Sequence, residues 1–208
     1  MPPKVVPKRR TYHHGRLRSA LIEAALRLVE TEGAAGLTLR AAARRAGVSQ
    51  AAPYRHFADK EALLAAVAEE GFRALSQAMR RVASRRDLTA VERFRQTGQA
   101  YVGFARTHPA HYRVMFGRGV GDFTRHRSLH EASEETFGLL VGAIVACQQE
   151  GAIRPGDSRA LAITTWATTH GLVSLWMDGP LDDMTNQTIA DLAEVVGRDM
   201  FFGLAPRA

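Results

Sequence analysis

A single cysteine, Cys147, is all this 208-residue chain contains. It has no internal disulfide partner, and a reducing cytoplasm is the expected compartment. No run of eighteen or more apolar residues exists, so no transmembrane helix is expected. The Pro-rich, basic first residues are not followed by the apolar stretch of a secretory signal, and no export is expected. Strand-like alternation and Asn-Gly hairpin signals are missing, as are internal repeats and low-complexity tracts. No nucleophile–base pairing, paired-carboxylate signature or phosphate loop is present, so no catalytic residue and no cofactor is expected. Lysine is scarce, three of 28 basic residues, which we read as genome base composition and not as a mechanism.

What is present is an uneven charge. The formal net charge is +7, yet residues 1–60 carry twelve Lys/Arg against four Asp/Glu, while the other 148 carry sixteen against seventeen. All of the excess positive charge thus sits in the first part of the chain, the footprint expected of a polyanion partner. A merely solvated basic surface is the alternative that charge alone leaves open. A membrane surface fits poorly, because the basic residues lie beside alanines and small polar groups instead of opposite large apolar ones.

Periodicity predicts an all-α fold of about nine helices. Residues 1–12 lack periodicity and are expected to form a flexible basic arm. A first helix is expected over about 14–32, with Leu17, Leu21, Ala24 and Leu28 on one stripe and Gly33 and Gly36 ending it. Thr38 is suited to cap a short helix from Leu39 to Ala46, Ser49 a third over about 50–57, and Asp59 a long fourth starting at Lys60. Two short helices joined by Gly-Val-Ser and flanked by longer ones make a helix-turn-helix, assigned to residues 13–60. The long helix leads into an all-helical domain assigned to residues 61–208, whose breaks fall at His108-Pro109, the Gly-rich stretch 117–127, Gly151, Pro155-Gly156 and Gly179-Pro180.

The informative stretch is 37–60. Ala42, Ala43 and Ala46 let the second helix sit close to its neighbours, Gly47 permits a left-handed turn, and Val48 plugs the space between helices. The next segment keeps its start short. Gln50 can pair with adenine, and Ala51 can touch a thymine methyl, in a major groove. Tyr54, His56 and Lys60 are spaced to reach phosphates on either side, while Phe57 anchors inward. Arg44 and Arg45 add charge to the same surface. Read singly, Tyr54 also suits a core aromatic, His56 an uncommitted surface residue, and Arg44 and Arg45 solvated charges.

Residues about 12–72 resemble the DNA-binding domain of the TetR family of bacterial regulators. The resemblance runs through Gly36-Leu-Thr-Leu-Arg, Ala43-Arg-Arg-Ala-Gly-Val-Ser, Tyr54-Arg-His-Phe and Asp59-Lys-Glu-Ala-Leu, with Pro53 standing where Leu or Ile is commoner. It implies a homodimer that binds double-stranded operator DNA at a palindrome and represses transcription until a small-molecule effector releases it. It further implies that Thr38, Tyr54, His56 and Lys60 hold phosphates, and that Arg40, Gln50, Ala51 and Arg55 lie at or near base edges.

The C-terminal part is less legible. Trp166-Ala-Thr-Thr-His170-Gly171, with His108-Pro-Ala-His-Tyr-Arg-Val-Met-Phe116 upstream, resembles a TetR subgroup marked by a Trp…His-Gly motif. Trp166 and His170 share a helix face, with Leu161, Thr165, Leu172 and Trp176 on a neighbouring one. A helix apolar on two faces needs covering from two sides, and a partner subunit is the expected second cover, with closure of the chain's own core as the alternative. The last helix supplies Ile189, Leu192, Val196 and Met200 to the same four-helix interface. Candidates for a ligand pocket are Tyr101, Phe104, Met115, Phe137, Trp166 and His170, with core packing the alternative for each. His108, His111 and His170 match no metal-ligand spacing, so no metal is expected. Cys147 is expected to be an inert buried thiol.

Overall fold

The computed structural model describes residues 14–181 and 185–204. The arm expected at 1–12 lies outside them. Among the described residues the fold is entirely helical. In chain order the helices are α1 (His14–Gly36), α2 (Leu39–Arg45), α3 (Lys60–Ala83), α4 (Ala90–Thr107), α5 (Pro109–Phe116), α6 (Arg127–Gln149), α7 (Ser158–Met177) and α8 (Ile189–Leu204), with 3-10 turns at Pro53–Arg55 and Phe123–Arg125.

Local chemistry sets most of these boundaries. Gly33 takes φ 71° and ends the regular part of α1 where the glycine pattern predicts. The Ala41 N–H donates to the Thr38 hydroxyl at 3.0 Å, capping α2. At the other end of α2, Val48 N–H donates to Ala43 C=O (3.0 Å) and Gly47 N–H to Arg44 C=O (3.2 Å). This pair of bonds is a Schellman closure, and it needs a left-handed residue, supplied by Gly47 at φ 68°. A Cβ added to Gly47 meets no atom within 4 Å, so its cost is backbone strain alone. Gly47→Ala is therefore expected to lower stability by about 1 kcal/mol, measured by urea unfolding. Asp59 caps α3 by accepting from Ala62 N–H at 2.8 Å. Thr89 and Glu92 form a reciprocal capping box on α4, and Asp157 caps α7.

One expected element is different. The third helix, expected over about 50–57, is a series of tight turns around the 3-10 segment Pro53–Arg55. Pro53 has no N–H to give to the Ser49 carbonyl, and that carbonyl accepts instead from Ala52 N–H at 3.0 Å. One helical bond survives, Phe57 N–H to Pro53 C=O at 2.9 Å. The Ser49 hydroxyl forms no cap, so here the backbone of Ser49 takes the role expected of its side chain.

The core is continuous from the helix-turn-helix into the helices behind it. Leu21, Leu28, Leu37, Ala42 and Phe57 belong to the same buried cluster as Leu64, Leu75, Tyr101, Met115 and Leu172. Helix α3 is the common member, packed on α1 and also against α4, α5 and α6. Gly71 lets α5 approach it, since a Cβ there would lie 2.4 Å from Met115 Sδ. A second, smaller cluster joins Phe94, Ile144, Cys147, Ile153 and Leu161.

Candidate DNA-binding surface and sensor cavity

The segment from Thr38 to Lys60 forms one continuous basic surface. Thr38, Arg40, Arg44, Arg45, Ser49, Gln50, Ala51, Tyr54 and Arg55 are exposed, and His56 and Lys60 are half-buried. Tyr54 is 55% exposed and so is not a core aromatic, whereas Phe57 is 3% exposed and is the inward anchor. No Asp or Glu occurs between Gly33 and Ala58, and Arg40, Arg44, Arg45 and Arg55 enter no ion pair within the described residues. Several arginines elsewhere are paired, Arg73 with Glu69, Arg80 with Glu135, Arg85 with Asp87, Arg95 with Glu194 and Arg127 with Glu131, whereas none of the four here is. The positive potential of this surface is therefore left for an external anion.

Two of its residues carry a structural duty as well. Thr38 accepts a backbone N–H at α2, which leaves its own O–H proton to donate outward. Lys60 donates to the Ala35 carbonyl at 3.2 Å, tying the start of α3 to the end of α1 and leaving two ammonium protons.

Behind the basic surface, α3, α5, α6 and α7 enclose a cavity of about 410 Å3. Phe72, Phe116, Phe123, Phe137 and Trp166 supply aromatic walls, with Leu75, Met79, Met115 and Leu140 between them. Of the residues expected at a pocket, Tyr101, Met115, Phe137 and Trp166 meet here, while Phe104 and His170 do not line it. Phe104 instead stacks on His108, with ring centroids 4.8 Å apart. His170 stands one residue behind the wall, its Nδ1 2.8 Å from the Tyr101 hydroxyl and 2.7 Å from that of Tyr112. Burial lowers the pKa of His170 and so favours the neutral ring. Trp166 Nε1–H donates to Tyr101 (3.4 Å) and Tyr101 O–H to Tyr112 (3.1 Å), and both hydroxyls lie within hydrogen-bond distance of His170 Nδ1. His170 Nε2 lies 3.4 Å from the Ser174 hydroxyl.

Phe72, Phe116, Phe123, Thr136 and Arg159 were not among the expected pocket residues. A signal for Arg159 exists in the sequence: it stands four and seven positions before Ile163 and Trp166, so the three form one stripe of α7. Phe123 and Thr136 carry no such signal.

The residues expected at a dimer interface divide. Leu161, Thr165, Leu172 and Ile189 are buried within the chain itself, on helix faces that turn inward. Trp176, Leu192, Val196 and Met200 are half-buried. The large apolar side chains that α7 and α8 expose are Ile163, Trp166, Leu175 and Phe202.

Among the described residues no group of three or more His, Cys, Asp or Glu is arranged to hold a metal ion. Cys147 is fully buried, and burial pushes its thiol up to about 11. No described helix is long and apolar enough to cross a membrane. Burial, with His108 alongside, pulls His111 down to about 4, and burial also lowers His170. An unfolded histidine titrates near 6.5, so from about 6.5 down to about 4 the unfolded chain binds protons that the folded chain refuses. Stability is therefore expected to fall as pH drops through that window. Thermal unfolding at about pH 7.5 and 5.5 checks this, with His111→Gln expected to flatten the dependence.

Residues 94–200 match the family model described as the tetracyclin repressor-like C-terminal domain. The chain belongs to the TetR family. Residues 21–67 match the model for bacterial regulatory proteins of the tetR family, a range that takes in most of α1, all of α2 and the Pro53 turn, and the start of α3. A solved structure of a Rhodococcus sp. RHA1 protein of unknown function is 35% identical, with TM-score 0.81 over 95% of this chain and 100% of the other. An HTH-type transcriptional regulator of Mycobacterium bovis is 29% identical over 150 residues, 69% of this chain, and the match spans 60% of that regulator's length. The class C tetracycline repressor protein of Escherichia coli is 52% identical over 52 residues, which is 25% of this chain and 24% of that protein.

Proposed function

We propose that this TetR-family member is a sequence-specific, DNA-binding transcriptional regulator: a dimeric repressor released from a palindromic operator by a small molecule in the α3–α5–α6–α7 cavity. The observation that carries the reading is the basic surface around α2 and the Pro53 turn, where no Asp or Glu lies between Gly33 and Ala58 and Arg40, Arg44, Arg45 and Arg55 enter no ion pair within the described residues. Phosphate contacts would come from Thr38, Tyr54, His56 and Lys60, and base contacts from Arg40, Gln50, Ala51 and Arg55. Arg44 and Arg45 would strengthen the field around them. The protein acts by binding, with no catalytic step, metal or cofactor, and works in the cytoplasm where its DNA is.

A dimer is supported by where apolar surface is left uncovered. Among the described residues five large apolar side chains are exposed, and four of them lie on α7 and α8. Pairing these two helices with their symmetry mates would bury them in an isologous four-helix interface. Operator binding then requires the two Pro53 turns to sit about one DNA turn apart, roughly 34–36 Å.

Coupling between cavity and DNA runs through the loop before α6. Phe123 packs edge-on against Phe72 in the cavity, with centroids 5.9 Å apart. Three residues later, His126 Nε2 lies 3.1 Å from Glu61 Oε1 in the first turn of α3, and Arg125 lies 3.8 Å from the same oxygen. Glu61 adjoins Lys60 and follows the DNA-facing turn directly. A ligand pressing on Phe123 would therefore pull or release the end of α3 that holds the DNA-binding surface. Ligand and operator would prefer different positions of that end, and each would weaken the other.

The DNA reading is tested by fluorescence anisotropy with a labelled duplex of arbitrary sequence over a range of salt. Affinity is expected to fall linearly on a log–log plot, with a slope of about −0.9 per phosphate neutralised. No binding at about 50 mM salt, or binding indifferent to salt, would overturn it.

A further inference from the structure

Taking the cavity as the effector site, we infer the chemical class it accepts: an amphipathic organic acid, with its apolar body between the aromatic walls and its carboxylate on the Arg159 guanidinium at the mouth.

The body follows from the walls. Six aromatic and several aliphatic side chains line the space, and its volume of about 410 Å3 suits a small organic molecule. The interior holds hydroxyls, but their protons are committed. Tyr101 gives its proton to Tyr112, and the Tyr112 hydroxyl is hydrogen-bonded to His170 Nδ1 at 2.7 Å. Thr136 donates to the Ala132 carbonyl at 2.8 Å and accepts from Ser76 at 2.7 Å. Ser133 at the rim donates to the His130 carbonyl at 2.9 Å. A ligand with polar groups along its length would find no donor inside and would lose its hydration without replacement.

The charged end follows from what remains. Arg159 and Glu134 are the charged side chains on the cavity's border. The guanidinium is held 4.8 Å over the Phe137 ring, which orients it, and its contact with Glu134 is a single long one of 3.4 Å. Four of its five N–H donors are uncommitted. Glu134 offers acceptors only and is half in solvent. The available recognition is thus a planar fork of donors, and it matches a carboxylate bidentately. A dianionic phosphate suits the mouth less well, because Glu134 would repel the second charge. A cation drawn to Glu134 would meet Arg159.

The test uses the full-length protein and three probes of one chain length: decanoate, decan-1-ol and decylamine, each below its micelle-forming concentration. Quenching of tryptophan fluorescence reports binding, because Trp166 stands in the cavity wall, and thermal shift confirms it. Decanoate is expected to bind about tenfold or more tightly than the alcohol or the amine. Arg159→Gln is expected to remove that preference while leaving decan-1-ol binding unchanged, and Arg159→Lys to recover part of it. Glu134→Gln is expected to tighten decanoate binding. The retained alcohol affinity shows that the variants keep a folded cavity. Preference for the amine, no binding of any probe, or decanoate binding indifferent to Arg159→Gln would each overturn the inference. Decanoate that binds as predicted but leaves DNA affinity unchanged would uphold the ligand class and count against effector-driven release, so the two failures are separable.

Discussion

Replacing Gln50 with Ala is expected to change base preference at one position of each half-site, by about 1–3 kcal/mol, while leaving affinity for unrelated DNA nearly untouched. Gln50 is exposed on the turn before Pro53 and no acidic residue lies near it in sequence, so its amide is available to a base edge. Lys60→Met is expected to behave in the opposite way. It should weaken binding to every sequence and flatten the salt dependence by about 0.9 per contact, or about 1.8 for a dimer. Tyr54→Phe should also weaken all sequences, but with little change in slope, because a phenol hydrogen bond to phosphate displaces no counterion. The three substitutions separate base reading, charge neutralisation and neutral phosphate contact on one surface. Equal losses for Gln50→Ala on all sequences would remove Gln50 from the base-reading set. Lys60 also holds the Ala35 carbonyl, so its variant needs a thermal-unfolding control.

His126→Ala is expected to leave ligand binding intact and to remove most of the ligand's effect on DNA. The imidazole is 3.1 Å from Glu61 at the start of α3, while Phe123, three residues earlier, is in the cavity wall. Couplings of this kind are commonly about 1–3 kcal/mol, a 5–150-fold change in DNA affinity. In the His126 variant the change is expected to shrink to about twofold, with decanoate as the first cavity probe to try. Glu61→Gln keeps a hydrogen-bond acceptor and loses the charge that also draws Arg125, so a partial effect is expected. The measurement is DNA affinity with and without saturating ligand, alongside direct ligand titration. Unaltered coupling in the His126 variant would show that the signal reaches α3 by another route, through the packing of α5 on α1 and α3.

Much of this protein can be read from its residues, and the reasons differ from place to place. Thr38, Gly47 and Asp59 announce helix boundaries because capping and left-handed turns are local chemistry, settled within three or four residues. The basic surface is legible for the same reason: charges on adjacent turns need no tertiary knowledge. The pattern after Ser49 predicts a full helix, but one missing N–H, at Pro53, leaves too few bonds to keep a helix of about eight residues regular. On α7, spacing groups Leu161, Thr165 and Leu172 on one face and Trp166 and His170 on another. Periodicity does not say which face a domain turns inward, and the first proved to be core. The cavity is the least legible part. It is a gap between helices remote in sequence, so Phe72, Phe123 and Arg159 meet there without any shared period. Phe104 had the same credentials as Tyr101 and lies against His108 instead.

The measurement to make first is a selection of purified protein against a random duplex library at about 150 mM salt, followed by sequencing of what is retained. A sequence-specific dimer predicts an enriched palindrome whose half-site centres lie about 10 base pairs, or a multiple of one helical turn, apart. If a folded protein retains DNA in proportion to length alone, with no enriched sequence, the basic surface binds phosphate without reading bases and the operator reading is contradicted.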